Sequence, residues 1–276
     1  MYDLNGKVAL VTGAGGRQGL GRAIALRLAQ EGANVAVNDV VARNTRSPDW
    51  AGLPDVVREI QDLGREALAL VADVSDAQQV QRMVHQALEK FGQIDILVNN
   101  AGAPASRDRV PVIELEEDAW DLVQRVNVKG TFLCSRAVAR AMISAGQGGK
   151  IINMSSIAGK RGRARFAAYS ASKFAVRGFT QALALELAPH HINVNAICPS
   201  LIATERVDDM AAVLAPEGIS IEAYRKQMLA DSTSTTPLGR MGEPADVAQL
   251  VAFLASAQSD FLTGLSIPVA GGFLMD

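Results

Sequence analysis

Only two cysteines occur in the 276 residues, Cys134 and Cys198, in separate segments with no C-x-x-C spacing. That excludes a disulfide framework and a thiolate zinc site, and it fits a chain kept reduced. Histidine is equally scarce: His85, His190 and His191 have no paired spacing suited to a metal, and no metal ligands are assigned. Basic charge is not in excess either. The net charge is −2 and the pI about 6.0, which leaves no electrostatic footprint for nucleic acid. No apolar run approaches the roughly 18 residues that cross a bilayer. The opening MYDLNGKVAL does not join a basic stretch to a long apolar one, so no secretory leader is expected. These absences point to a cytoplasmic chain with neither membrane nor nucleic acid as partner.

What the chain does have is apolar residue, 49% of the total against 20% charged, enough to bury a large core. Short β-branched runs recur at 7–11, 34–38, 66–72, 94–100, 150–155, 192–197 and 265–269. Between them lie segments with apolar residues at three- and four-residue spacing, such as 21–32 and 78–92. Strands alternating with helices imply βαβ crossovers, and nearly all-apolar strands imply cover on both faces. The expectation is an α/β fold: one Rossmann-type domain over 1–276, a doubly wound parallel sheet of about seven strands with helices on both faces. Two stretches break the rhythm. One is a polar, proline-containing insertion at 41–54. The other runs from 199 to about 242, includes DSTSTTPLGR (231–240), and has the length of a substrate lid.

Directly after the first apolar run stands TGAGGRQGLG (12–21), with five glycines in ten residues. Glycine there permits tight backbone angles and lets peptide N–H groups and a helix N-terminus approach a pyrophosphate. Gly13, Gly19 and Gly21, with Arg17 and Leu20 among them, are the candidates for that contact. Some 20 residues further on, the next run ends in Asn38-Asp39, where an acid accepts hydrogen bonds from an adenosine ribose. Asp39 repels a 2′-phosphate, so NAD is expected in preference to NADP. Arg17, Arg43 and Arg46 act against that repulsion.

The segment SSIAGKRGRARFAAYSASKFAVRGF (155–179) carries the reaction. Tyr169 and Lys173 are four apart and share one face of a helix. A phenol titrating near ~10 is a poor base at neutral pH; bringing it to ~7 takes about 4 kcal/mol, which a neighbouring ammonium helps to supply. Ser156, at the end of the preceding strand, is positioned to hold a substrate oxygen.

In these motifs and their order the chain resembles the short-chain dehydrogenase/reductase family over essentially its whole length. The family's glycine motif corresponds to Thr12, Gly13, Gly19 and Gly21, with five residues rather than three between Gly13 and Gly19, which implies a longer phosphate loop. The resemblance implies that Asp73, with Val74 beside it, meets the adenine amino group, and that Asn99-Asn100-Ala101-Gly102 flanks the cofactor. It makes Asn127 the structural asparagine, holding a water that joins Lys173 to a proton relay. Ser156 orients the substrate oxygen, Tyr169 is the general acid/base, and Lys173 lowers its pKa while bonding the nicotinamide ribose. Ile202 and Thr204 match positions that hold the carboxamide. Pro199-Ser200 stands where the family has Pro-Gly, which alters the turn on the nicotinamide side. Family members form tetramers or dimers through two long helices, here 118–145 and 168–188, and the C-terminus. The resemblance therefore implies a homotetrameric NAD-dependent dehydrogenase of secondary alcohols. Two alternatives remain open: an NADPH-dependent reductase of 3-oxoacyl thioesters, against which Asp39 argues, and a non-catalytic dinucleotide sensor, against which retention of Ser156, Tyr169 and Lys173 argues.

The substrate is less legible. Lys160, Arg161, Arg163 and Arg165 crowd into six residues, and such an edge attracts a carboxylate, phosphate or sulfonate. With Ser156, that makes Arg163 and Arg165 the substrate-side candidates, although a charge run is more often a solvated or interface-facing edge. The 199–242 segment is rich in serine and threonine, with Tyr224 its only ring, which suits a sugar, polyol or hydroxy acid. Met210, Met228 and Met241 read as packing for that segment. Trp50 and Trp120 read as packing residues, with Trp50 also suited to covering the adenine side.

Overall fold

The structure is a computed structural model that describes residues 2–43 and 49–275. Seven strands form one sheet: β1 (Val8–Thr12), β2 (Asn34–Asp39), β3 (Ala67–Val71), β4 (Ile96–Asn99), β5 (Gly149–Met154), β6 (Ile192–Pro199) and β7 (Ser266–Val269). Their order is β3-β2-β1-β4-β5-β6-β7, and every neighbouring pair is parallel. The chain reverses direction across the sheet between β1 and β4, and the crevice at their carboxyl ends is where such sheets receive ligands.

Nine helices occur among the described residues: α1 (Leu20–Gln30), α2 (Leu53–Asp62), α3 (Ala77–Phe91), α4 (Glu117–Gln124), α5 (Thr131–Ala145), α6 (Ala167–Leu187), α7 (Arg206–Leu214), α8 (Ile221–Thr235) and α9 (Pro244–Ala255). Alternation along each strand sends its side chains to two apolar layers. Ala9, Val11, Ile96 and Val98 join α1, α2 and α9 on one face; Leu10 and Leu97 join α3, α5 and α6 on the other. Both faces are dry, so the strands are apolar at successive positions. Leu97 is fully buried, and truncating such a leucine costs about 2–5 kcal/mol.

Helix ends follow local chemistry. Asp76 caps α3 by accepting from the N–H groups of Gln78 (2.8 Å) and Gln79 (3.0 Å), and Gly92 ends it in the left-handed region. The first helix differs: its N-cap, Gly19, supplies no side-chain hydrogen bond. Among the described residues no helix is long and apolar enough to cross a membrane.

Two expectations are corrected in detail. The stretch 118–145 is not one continuous α-helix, because a π-helical turn, Arg125–Gly130, separates α4 from α5. Nor is 199–242 a plain loop. It folds into α7, which buries Val207, Met210, Ala211 and Leu214 along one side, and α8, which buries Met228. Its ends meet: Ile202 bridges to Gly242, and the Ala203 N–H donates to the Gly242 carbonyl at 2.9 Å. The α7–α8 excursion therefore leaves and rejoins the body at one place.

Candidate active site

The glycine loop joins β1 to α1 at the reversal of the sheet. Gly13 sits at φ +67°, and a Cβ there would lie 2.7 Å from the Ala101 Cα. A Cβ on Gly21 would meet the Gly13 carbonyl and lie 2.7 Å from the Asn100 Nδ2. Asn100 ties the loop to β4, its amide donating to the carbonyls of Thr12 and Gly13, both at 2.9 Å. Two carboxylates already sit on this loop's donors. Asp39 Oδ2 accepts from the Gly15 N–H at 2.8 Å, and Glu205 Oε1 accepts from the Gln18 N–H at 3.2 Å. Backbone N–H groups that collect carboxylates, at the start of an uncapped helix, fit the pyrophosphate of a dinucleotide. Trp50 belongs to the same region. It is 93% shielded, donates its indole N–H to the Gly15 carbonyl at 2.8 Å, and stacks under the Arg22 guanidinium. Trp50 thus braces the loop from inside the core. Arg17 is exposed on the loop, and its carbonyl accepts from Arg22. Arg46 lies outside the described residues.

Across the crevice, Ser156 lies two residues past the end of β5 and α6 carries Tyr169 and Lys173. Lys173 is buried, its ammonium donating to the Met154 carbonyl at 2.7 Å and lying 5.6 Å from the centre of the Tyr169 ring. The side chains of Ser156 and Tyr169 share a hydrogen bond. Burial pushes the Tyr169 phenol up, but Lys173, Arg206, the Ser156 hydrogen bond and Arg109 together hold it below the ordinary tyrosine value. The Lys173 ammonium is also lowered, by burial first and by Arg206, against the attraction of Tyr169. Both thiols are buried and protonated: burial raises Cys134 to about 12 and also raises Cys198.

Asn127 lies within the π-helical turn, a distortion common at functional sites. Its amide is spent at both ends: Oδ1 accepts from the Ala103 N–H and Nδ2 donates to the Ser172 hydroxyl, each at 2.9 Å. Ser172 in turn donates to the Tyr169 carbonyl at 2.7 Å. Asn127 therefore pins the 99–102 motif to α6. Beneath it, Asn99 donates to Asn153 on the adjacent strand (2.8 Å) and to Ser135 (2.9 Å), and Asn153 donates to Thr180 (2.9 Å). This buried ladder fixes β4 and β5 against α5 and α6.

A cleft of about 760 Å³ opens over these groups, lined among others by Leu20, Asn100, Ser156, Tyr169, Lys173, Pro199, Ile202 and Thr204. Ala101 and Gly102 follow β4; the Ala101 N–H is held by the Thr12 hydroxyl, and Gly102 lies beside the Arg206 guanidinium. Asp73 and Val74 lie past the end of β3, where Asp73 accepts from the Ser75 N–H and Val74 packs on Gly130. Arg163 lines the cleft, whereas Arg165 does not: it turns at φ +65° and donates its Nε to the Arg109 carbonyl at 3.2 Å. His85 pairs with Glu89 on the surface, and no cluster of three metal-ligating side chains occurs among the described residues.

Three residues escaped the sequence reading: Arg109 and Arg206, which line the cleft, and Glu205, which sits on the glycine loop. Arg109 is buried, paired with Asp108, and lies 4.6 Å from the centre of the Tyr169 ring. Arg206 donates to the carbonyls of Gly102 and Ala103. Glu205 and Arg206 directly follow Thr204, and adjacency to that position was the one signal available for them.

Known proteins resemble the chain over nearly its whole length. The sequence profile of the family described as short chain dehydrogenase matches residues 7–214. The 2-dehydro-3-deoxy-D-gluconate 5-dehydrogenase of Dickeya dadantii is 39% identical over 99% of this chain and 97% of its own. A sorbitol dehydrogenase of Cereibacter sphaeroides is 38% identical over 98% of each chain. A solved structure of NAD+-bound xylitol dehydrogenase superposes with a TM-score of 0.84 at 36% identity, covering 98% of this chain and 99% of that one.

Proposed function

The chain belongs to the short-chain dehydrogenase family and is an oxidoreductase of CH–OH groups; on that premise we propose that it oxidises a polar secondary alcohol with NAD, using Tyr169 as the base. The observation that carries this reading is the buried Lys173 ammonium behind a Tyr169 phenol whose hydroxyl meets Ser156 at the floor of the cleft.

When bound, the nicotinamide ring supplies the acceptor for the hydride and both its electrons from the carbinol carbon. The chain's own residues manage position and one proton. Ser156 donates to the substrate oxygen and keeps it beside the Tyr169 Oη. Tyr169, ionised, takes the hydroxyl proton as the C–O bond gains double-bond character. Lys173 stabilises the phenolate and bonds the nicotinamide ribose, while Asn127 fixes α6 against the 99–102 motif. In the reverse direction Tyr169 returns the proton. Ile202 and Thr204 hold the carboxamide; Gly13, Arg17, Gly19, Leu20 and Gly21 receive the pyrophosphate; Asp73 and Val74 border the adenine.

Asp39 supports NAD over NADP. Its carboxylate lies at the end of β2 against the glycine loop, where a 2′-phosphate would meet a like charge. Substrate classes that fit are sugars, polyols and hydroxy acids, since serine, threonine and glutamine side chains of α8 line the outer cleft. The same reading makes the protein a homotetramer. The outer faces of α5 and α6 carry Phe132, Phe174 and Leu185 exposed, the last at 80%, as expected of surfaces that neighbouring subunits cover. Cofactor reduction followed by absorbance, with NAD and NADP in parallel, tests the activity; sedimentation tests the assembly.

A further inference from the structure

Phe166 immediately precedes α6 and is buried beside Tyr169, their rings meeting edge to face with centroids 6.3 Å apart. Two guanidinium groups stack on it: Arg109 at 4.5 Å from the ring centre and Arg163 at 4.6 Å. Both residues line the cleft. A guanidinium lying on an aromatic ring gives up its face to the ring and keeps its N–H edge for an in-plane, two-point acceptor. The partners that would normally occupy those edges are few. Asp108 takes one Arg109 nitrogen, while the Arg109 Nε is buried without any hydrogen-bond partner. No carboxylate among the described residues forms an ion pair with Arg163, Arg161 or Arg206.

The wider cleft has the same imbalance. Among the described residues its lining holds Arg109, Arg161, Arg163, Lys173 and Arg206 against one carboxylate, Asp231. The phosphates of a dinucleotide belong at the glycine loop, beyond Leu20, and do not neutralise the Phe166 wall. A buried N–H left without an acceptor, as at the Arg109 Nε, is costly unless a ligand supplies one.

We propose that Arg109 and Arg163, stacked on Phe166, form an anion subsite beside the Tyr169 hydroxyl, and that the alcohol substrate carries a carboxylate bound there. The proposal rests on Tyr169 being the reacting end of the cleft and narrows the substrate to hydroxy acids. Arg109 is the fixed half, buried and tied to Asp108. Arg163 is the exposed half, free to close on the ligand from the rim. Arg165 supports the pair from behind through the Arg109 carbonyl. The chemistry predicts a substrate whose carboxylate lies a few bonds from the carbinol, close enough for both ends to be held at once.

The test combines binding with turnover. Malonate titrated calorimetrically into the whole protein should bind, and Arg163→Gln should weaken it by about tenfold to a hundredfold, the range of a charge-assisted hydrogen-bonded pair. Arg109→Lys, which keeps the charge but loses the planar fork, should weaken it as well. In turnover with NAD, gluconate should exceed sorbitol, and 3-hydroxybutyrate its methyl ester, in kcat/KM; Arg163→Gln should bring each pair close to parity, mainly through KM. Malonate that fails to bind, or binds equally to Arg163→Gln, overturns the anion subsite. Turnover of neutral alcohols with no charge preference overturns it too and leaves the dehydrogenase reading standing. Arg163-dependent malonate binding with no turnover of any alcohol does the reverse: it keeps the subsite and removes the oxidation chemistry.

Discussion

The guanidinium of Arg109 lies 4.6 Å from the centre of the Tyr169 ring, and the ammonium of Lys173 lies 5.6 Å from the same centre. Cations from two separate elements therefore act on one phenol, and Arg206 from α7 adds a third. Ser156 bonds the hydroxyl, and Asp108, paired to Arg109, is the neighbouring carboxylate. Each cation favours phenolate over phenol.

That arrangement fixes a pH dependence. On the proposed reading alcohol oxidation requires phenolate, so kcat/KM is expected to rise with pH through the Tyr169 titration, which lies below the ordinary tyrosine value. Removing a cation raises the phenol's pKa. Arg206→Gln is expected to move the acidic limb to higher pH, with a loss that shrinks as pH rises. A profile of unchanged position and uniformly lower height would assign Arg206 a purely structural role.

On the proposed reading, Asp39 sets the cofactor preference. Replacing it with serine removes the like charge from the ribose end, and the ratio of NAD to NADP efficiency should fall by at least about tenfold. Competition between the two cofactors, measured on one substrate, checks this. An unchanged ratio would move the discriminating group elsewhere.

Glu205 accepts from the Gln18 N–H at 3.2 Å, a donor that the proposed pyrophosphate site would use. Glu205→Gln keeps a neutral acceptor and removes the repulsion, so NADH should bind about twofold to fivefold more tightly, as expected for one charge at a helix N-terminus. The readout is fluorescence titration, independent of turnover. Weaker binding would mean that Glu205 serves the cofactor instead of competing with it.

Gly21 has no room for a side chain: a Cβ would meet the Gly13 carbonyl and lie 2.8 Å from the Ala14 Cα. Gly21→Ala should destabilise the fold by about 1–3 kcal/mol, lowering Tm by about 3–10 °C, and weaken dinucleotide binding. A variant with wild-type Tm and affinity would show that the β1–α1 turn yields freely.

The seven strands were legible because fully covered parallel strands are short apolar runs, and each run in the sequence became a strand. The position of the glycine loop between β1 and α1, of Asp39 at the end of β2, and of Ser156, Tyr169 and Lys173 on one cleft was legible because sequence spacing sets it. The π-helical turn was not, since RVNVKG continues the helical pattern on either side and only tertiary contacts at Asn127 and Gly130 distort it. Nor were α7 and α8 visible as helices, because α8 buries only Met228 and ends in serine and threonine. Arg109 reads in sequence as one charge in a polar loop. Its position on Phe166 and Tyr169 depends on a fold that brings residues 109 and 169 together. For the same reason Arg163 and Arg165, alike in sequence, part company in space.

The most direct test of the proposed chemistry is NAD reduction by purified wild-type protein and Tyr169→Phe, with NADH binding measured on both. Loss of about a thousandfold or more in kcat, with NADH affinity within about twofold of wild type, is the expected result for removal of a general base from an intact cofactor site. Turnover by Tyr169→Phe at a rate near wild type would contradict it and take the proton from Tyr169.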